Sequence, residues 1–178
     1  VFERELRDKM KLVLMIDNGG YSMTPYVNLT RLLFVKVHDR FEDITTYYFH
    51  NAIYEKIYVD QRRIRAYDTE KLLQQKEDTR VVIVGDATMA PEELASPYGS
   101  IAGFDMDDAR PSIYWMKRIA ARFKHTVWLN PIPKERWSGN YGAWTLKQIK
   151  QVFHMEDMTL GGVKGMVEFL SDKTGAKY

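Results

Sequence analysis

Two short runs of apolar residues stand out against an otherwise mixed pattern of hydrophobic and polar positions. They cover residues 12–16 and 81–84, and each ends directly in a turn that contains aspartate and glycine. A third run, at residues 126–129, is followed by Asn130 and Pro131. Apolar residues that are continuous rather than alternating indicate strands buried on both faces, as in a parallel sheet covered by helices.

Patterns typical of helices fill much of the chain between these strands. They cover residues 25–41, 69–75, 111–123 and 160–170. Thr24, followed by Pro25, is predicted to cap the first of these helices, because proline is favoured in the first helical turn.

Two β-rich segments, at residues 44–50 and 53–59, lie close enough together to form an antiparallel hairpin at one edge of the sheet. The rest of the chain alternates strand and helix. We therefore predict a three-layer α/β domain of the doubly wound, Rossmann-like type, with a mainly parallel central sheet and one antiparallel edge hairpin. Ligands in such sheets bind beyond the carboxyl ends of the strands.

Composition and charge narrow the classes of partner. The 178 residues, 45% of them hydrophobic and 28% charged, suit one globular domain. The 26 basic and 24 acidic residues are interleaved, which argues against nucleic acid as the main partner. No apolar stretch approaches the roughly 20 residues that span a bilayer, so no membrane partner is expected. The lack of cysteine excludes disulfides, thiolate metal sites and cysteine nucleophiles.

The chain begins at Val1 with a charged segment of helical character. We predict that residues 1–10 form a helical extension, the end of an upstream region, and that residues 11–178 form the domain.

Candidate chemistry lies where the apolar runs end. Asp17 follows the first run and Asp86 follows the second. In a parallel sheet both aspartates would lie at the same end of the sheet, beyond the carboxyl ends of the strands. Oxygen ligands gathered there suit a hard cation such as Mg²⁺. The loop that contains Thr69 is expected to enter this end of the sheet and could add another oxygen.

The order and spacing of these residues resemble the von Willebrand factor A (VWA) domain, and within it the bacterial CoxE-like VWA proteins. The metal-ion-dependent adhesion site (MIDAS) of that family joins a first-strand Asp-x-Ser-x-Ser motif, a loop threonine and an aspartate that ends a later strand. By motif, Asp17, Thr69 and Asp86 match these three parts, and the likeness extends from about residue 11 to about residue 170.

The first motif departs from the family pattern. Gly19 and Tyr21 stand at the two serine positions, and Ser22 comes one place late. The predicted metal ligands are therefore Asp17, Ser22, Thr69 and Asp86, with Mg²⁺, or alternatively Mn²⁺ or Ca²⁺, as the ion. The pattern leaves open weak binding through more water, binding with altered geometry, and no binding. Asp-Asn-Gly-Gly is also simply a tight turn, and Asp68 and Thr69 can serve as helix caps.

The segment at residues 130–144 is the most unusual stretch and should open on the same end of the sheet. Its candidate partner-binding residues are Arg136, Trp137, Tyr141 and Trp144, because arginine and large aromatic side chains dominate interface energetics. The alternative is that the tryptophans fold back onto the domain, and one buried and one exposed tryptophan would satisfy both interpretations.

The resemblance implies a non-enzymatic protein-binding module that grips an acidic group of a partner. CoxE-like proteins also imply a bacterial, cytoplasmic setting and a MoxR-type AAA+ ATPase as partner. One alternative is a Mg²⁺-dependent phosphohydrolase that uses Asp17 and Asp86, although Gly19 stands where haloacid-dehalogenase phosphatases place a second aspartate. Another is a metal-free VWA scaffold that binds through residues 130–144, which we term the aromatic loop.

Overall fold

The structure, a computed structural model, describes residues 10–102, 109–139 and 142–172. These residues contain a sheet of seven strands in the order β4-β3-β2-β1-β5-β6-β7. The strands are β1 (Met10–Asp17), β2 (Phe41–Phe49), β3 (Lys56–Tyr58), β4 (Ala66–Asp68), β5 (Arg80–Val84), β6 (Thr126–Asn130) and β7 (His154–Asp157). The helices are α1 (Gly20–Val37), α2 (Thr69–Leu72), α3 (Pro91–Ala95), α4 (Ser112–Arg122), α5 (Ala143–Val152) and α6 (Leu160–Ser171).

Strand direction confirms the predicted fold class. β1 is parallel to β2 and β5, and β5, β6 and β7 continue the parallel arrangement. β3 is antiparallel to both β2 and β4 at one edge. The domain is thus a three-layer α/β fold of Rossmann-like type, and the carboxyl ends of β1 and β5 are neighbours.

The continuous apolarity of β1 follows from burial on both faces. Leu12, Leu14 and Ile16 belong to a cluster beneath α1 and α6, whereas Val13 and Met15 belong to a larger cluster on the opposite face. That larger cluster includes residues of α2, α3, α4 and α5. Alternate side chains of one strand therefore fill two separate cores.

Helix α1 begins earlier than its sequence predicted. It starts at Gly20, so Thr24 is not the cap and Pro25 lies inside the helix. The early start places Met23 in the core with no exposed surface. This burial offsets part of the free-energy cost of the helical hydrogen bond that Pro25 cannot donate. α2 is shorter than predicted, although tighter turns continue the coil as far as Gln75.

The antiparallel edge is more elaborate than a single hairpin. β2 and β3 pair through Tyr48 and Tyr58, as expected, but the short strand β4, which was not predicted, forms the outer edge. Strand β7 at the other edge was also not predicted. The predicted extension at residues 1–10 lies outside the described residues apart from Met10, which begins β1. No helix within the described ranges is long and apolar enough to cross a membrane.

Candidate functional site

Asp17 is the last residue of β1, and its side chain is almost fully buried, with 3% exposed. One carboxylate oxygen, Oδ1, accepts hydrogen bonds from the backbone N–H groups of Gly19 and Asn51, each at 3.0 Å. The other oxygen, Oδ2, accepts no hydrogen bond from the described residues. Asp17 is therefore oriented by one oxygen and free to bind a ligand through the other.

The glycines after Asp17 are required by the shape of this turn. A Cβ atom at Gly19 would overlap the ring of His50, and Gly20 has a φ of +71°, a conformation that L side chains rarely adopt. The Asp-Asn-Gly-Gly sequence is thus a tight turn, and the same turn directs the N–H of Gly19 at the Asp17 carboxylate.

Asp86 follows β5 and is also buried, with 5% exposed. Its Oδ1 accepts the backbone N–H of Thr88 at 3.0 Å. The chain turns sharply here because Ala87 has a φ of +61°. Residues 85–88, which we term the Asp86 turn, therefore need external support to hold a conformation that alanine disfavours.

Three buried side chains support the Asp86 turn through three successive carbonyl groups. Trp128 Nε1 donates to the carbonyl of residue 85 at 2.8 Å, and Asn130 Nδ2 donates to that of residue 86 at 3.0 Å. The Thr145 hydroxyl lies within hydrogen-bonding distance of two carbonyl groups, that of residue 142 at 2.8 Å and that of residue 87 at 3.1 Å. Two of the donors lie on β6 and the third on α5. The position of Asp86 is consequently fixed by elements that follow it by more than 40 residues.

The charge of Asp86 acts on the Asp17 carboxyl group. Asp17 Oδ2 lies against the Asp86 turn, 3.7 Å from where a Cβ atom at Gly85 would stand. Burial, and to a smaller degree the nearby charge of Asp86, raise the pKa of Asp17 to about 7, although the N–H groups of Gly19 and Asn51 and the charge of Arg63 oppose the rise. A positive ion between the two carboxylates would remove the repulsion.

Sequence reasoning missed Asn51 and Glu93. Asn51 has a φ of +57°, which directs its N–H at Asp17, and its Nδ2 donates to Glu93 Oε1 at 3.2 Å. Glu93 is 3% exposed, and its Oε2 accepts the N–H of Ala90 at 3.0 Å. The only sequence signal was an asparagine, which tolerates positive φ, directly after a strand.

Thr69 and Ser22 are placed differently from the aspartates. The Thr69 hydroxyl is buried and donates to the carbonyl of Tyr54 at 2.6 Å. Thr69 follows β4, which lies three strands from β1, or roughly 14 Å at the usual strand spacing. Ser22 lies in the first turn of α1 and is exposed. The structure thus brings Asp17 and Asp86 together, and no described contact joins either of them to Thr69 or Ser22.

The aromatic loop divides into a buried and an exposed part. Trp137 is 7% exposed, and its Nε1 donates to the carbonyl of Ile132 at 2.7 Å, whereas Trp144 is 49% exposed at the start of α5. Arg136 is exposed, and Tyr141 lies outside the described residues. Gly142 packs against the Asp86 turn, since a Cβ atom there would lie 2.8 Å from Thr88 Cα. The loop therefore reaches the same end of the sheet as the two aspartates, beyond the carboxyl ends of β1 and β5.

The chemistry of these donors fits a hard divalent cation. Carboxylate oxygens are preferred ligands of Mg²⁺, which commonly retains several waters. Within the described ranges, no three or more His, Cys, Asp or Glu side chains are grouped so that they could hold a metal. An ion here would thus rest on the pair Asp17 and Asp86, with water or hydroxyl oxygens completing its coordination.

Comparisons with protein-family models, with curated proteins and with solved structures find no match for this chain.

Proposed function

We propose that the chain is a protein-binding module of VWA type in which Asp17 and Asp86 hold a Mg²⁺ ion that binds a carboxylate of a protein partner. The observation that carries this proposal is the meeting of two buried aspartates at the ends of adjacent strands, with Oδ2 of Asp17 lacking a hydrogen bond from the described residues. Two buried carboxylates close together are costly even with the charge of Arg63 nearby, and a cation would offset that cost.

The departures in the first motif set the expected strength of binding. With glycine and tyrosine at the serine positions and the Thr69 hydroxyl bonded to Tyr54, water supplies more of the ligands than in a complete adhesion site. Fewer protein ligands give weaker binding, so we expect an affinity in the millimolar range. The order of Asp17, Thr69 and Asp86 favours the CoxE-like resemblance, and with it a MoxR-type AAA+ ATPase as partner and a bacterial cytoplasmic setting.

A binding role is favoured over phosphohydrolysis by the surroundings of Asp17. Asp17 accepts hydrogen bonds from backbone N–H groups of the described residues. Gly19 stands at the position where haloacid-dehalogenase phosphatases place a second aspartate as general acid and base. The second candidate function is a metal-free scaffold that binds through the aromatic loop. The exposure of Trp144 and Arg136, in a loop whose Gly142 packs against the Asp86 turn, supports it.

The test is calorimetric titration of the wild-type chain with Mg²⁺ and Mn²⁺, compared with Asp17→Asn and Asp86→Asn. We expect saturable binding of one ion that both substitutions abolish. Asp68→Asn is the matched control, because Asp68 ends a strand of the same sheet but pairs with Lys71 at 3.3 Å. It should bind as the wild type does.

Absence of binding at millimolar metal, with all variants folded by circular dichroism, would overturn the metal site. Attention would then pass to the aromatic loop, and Trp144→Ala would become the variant to compare in partner binding.

A further inference from the structure

The connection between β3 and β4 concentrates positive charge beside the two aspartates. Arginines occupy positions 62, 63 and 65 of the segment 59–65, which we term the arginine turn. Elsewhere basic and acidic residues are interleaved, so three arginines within four positions are a local excess. In the site described above only Arg63 of this turn takes part, through its charge.

The arginine turn is rigidly built. The N–H of Val59 donates to the carbonyl of Arg65 at 3.1 Å, and the Asp60 carboxylate accepts the N–H groups of Ile64 and Arg65 at 3.3 and 2.7 Å. These backbone hydrogen bonds, that of Arg65 first, lower the pKa of Asp60. Asp60 is thus occupied in holding the turn, and the side chains of the turn start from a fixed backbone.

Asn18 ties the arginine turn to the candidate site. Arg63 Nη1 donates to the Asn18 carbonyl at 3.1 Å and to its Oδ1 at 2.6 Å, and Asn18 Nδ2 donates to the carbonyl of Gln61 at 2.7 Å. Asn18 directly follows Asp17, and the charge of Arg63 acts on the Asp17 carboxyl group. Whatever binds at the aspartate pair therefore lies next to the arginine turn.

The other side chains of the turn are open to solvent. Arg62 is exposed, the Arg65 side chain is 73% exposed, and Ile64 is 66% exposed. Arg65 approaches Asp60 only at 3.8 Å, through an oxygen that already accepts backbone hydrogen bonds. Two exposed guanidinium groups thus flank an exposed aliphatic side chain. This arrangement can bind a ligand through ionic and apolar contacts together.

We propose that the arginine turn binds an acidic segment of a protein partner, with Arg62 and Arg65 pairing with its carboxylates and Ile64 contacting an aliphatic side chain. Guanidinium groups form bidentate hydrogen bonds with carboxylates, and such pairs are among the strongest polar contacts. The inference rests on the proposed function in one respect: the same segment supplies the carboxylate that reaches the cation. The pairing at the turn itself needs no metal.

An acidic protein segment fits this surface better than nucleic acid does. The chain carries a net charge of only +2. Nucleic-acid surfaces draw on a concentrated basic area larger than one turn. An exposed isoleucine between arginines also matches a peptide in which acidic and aliphatic residues alternate.

The test uses a fluorescein-labelled hexapeptide of sequence Glu-Leu-Glu-Glu-Leu-Glu and measures anisotropy at low ionic strength, where exposed charges are least screened. We expect the Arg62→Glu/Arg65→Glu variant to bind the peptide at least about tenfold more weakly than the wild type. The matched control is Lys117→Glu/Lys124→Glu, which changes the charge equally at exposed sites on and after α4. It should lose less than about threefold.

Equal losses in the two variants, or no binding by the wild type, would overturn the proposal. So would tighter binding of a labelled hexauridylate than of the peptide, which would indicate nucleic acid. Arg62→Gln, a milder change at an exposed position, gives the same comparison if the double variant fails to fold.

Titrations with Mg²⁺ and with EDTA separate this inference from the proposed function. If the arginine-dependent part of peptide binding persists in EDTA and in Asp17→Asn, the arginine turn stands even where the metal site fails. If Mg²⁺ binds but peptide binding does not depend on the arginines, the metal site stands and the arginine turn fails.

Discussion

The Asp17 carboxyl group has two states that differ in what they can bind. With a pKa raised by burial to about 7, it is half protonated near neutral pH when no cation is present. A metal ion binds only the ionised carboxylate and must displace the proton. Under the proposed function, metal binding would therefore release a proton from this single residue.

This linkage predicts a pH dependence of Mg²⁺ binding. From a pKa of about 7, we expect binding about tenfold weaker at pH 6 than at pH 8, with nearly one proton released per ion at pH 6. Calorimetry in two buffers of different ionisation enthalpy measures both quantities. An affinity that does not change between these two pH values would show that Asp17 is not a ligand.

The same pKa has a consequence for stability without metal. Because the folded value lies above the ordinary 3.8, the unfolded chain loses its proton first as the pH rises. The free energy of unfolding should fall between pH 3.8 and about pH 7 and level off above, by up to roughly 4 kcal/mol. Urea unfolding of the metal-free chain should show this slope, and Asp17→Asn should reduce it.

Substitution of Thr69 distinguishes a structural role for its hydroxyl from the metal-ligand role that the VWA resemblance implies. Its hydroxyl donates to the Tyr54 carbonyl in a buried position, so Thr69→Val removes a buried hydrogen bond. We expect a loss of about 1–3 kcal/mol in unfolding free energy and no change in Mg²⁺ affinity. Thr69→Ser, which keeps the hydroxyl, should be close to wild type in both. A folded Thr69→Val that no longer binds Mg²⁺ would instead support the ligand role that the VWA resemblance implies.

At the scale of elements, the Asp86 turn depends on β6 and α5. Trp128 and Asn130 donate to the carbonyl groups of residues 85 and 86, and the Thr145 hydroxyl lies between those of residues 87 and 142. These contacts fix the left-handed Ala87 and the direction of Asp86. These donors are separated from the turn by 43 to 58 residues. The sequence indicated an aspartate at the end of β5, but its orientation is set by elements that only folding brings near.

A matched pair of substitutions tests this support. Thr145 and Thr126 are both buried and both donate to a carbonyl, but Thr126 bonds Phe123 at the opposite end of β6. Each change to valine should cost about 1–3 kcal/mol of stability. Only Thr145→Val should also weaken Mg²⁺ binding, severalfold, because it removes the hydroxyl that joins the carbonyl of residue 87 in the Asp86 turn to that of residue 142 before α5. Equal effects of the two variants on Mg²⁺ affinity would show that the turn holds itself.

At the scale of the whole molecule, the sheet separates two cores, and the site lies at the carboxyl ends of the central strands. Asp17 ends β1 and Asp86 follows β5, and these two strands lie in the middle of the seven described strands. A ligand that ties these two ends together binds the folded state alone, since the unfolded chain has no such pair. Metal binding should therefore stabilise the entire domain.

We predict that Mg²⁺ at ten times its Kd raises the free energy of unfolding by about 1.4 kcal/mol. For a chain of this size, that corresponds to a rise in Tm of roughly 3–6 °C, measurable by differential scanning calorimetry. Asp17→Asn should show no rise, whereas Asp68→Asn should respond as the wild type does. An equal rise in all three proteins would indicate a general salt effect.

The sequence by itself determined the layers of this fold and the ends of its central strands. Continuous apolar runs indicated strands buried on both faces, and the turns that follow them located Asp17 and Asp86, because these signals are local in the chain. The short edge strands β4 and β7 gave no comparable signal, since a few residues at an edge carry little hydrophobic pattern.

Tertiary structure alone decided how the two aspartates are surrounded. The bond between Asn51 and Glu93 joins residues 42 positions apart, and the contact between Asn18 and Arg63 joins residues 45 apart. Hydrogen bonds over such separations depend on which loops the packed sheet brings together, not on local residue preference. Burial likewise raised the pKa of Asp17, because desolvation arises only once the whole chain has closed around the carboxyl group.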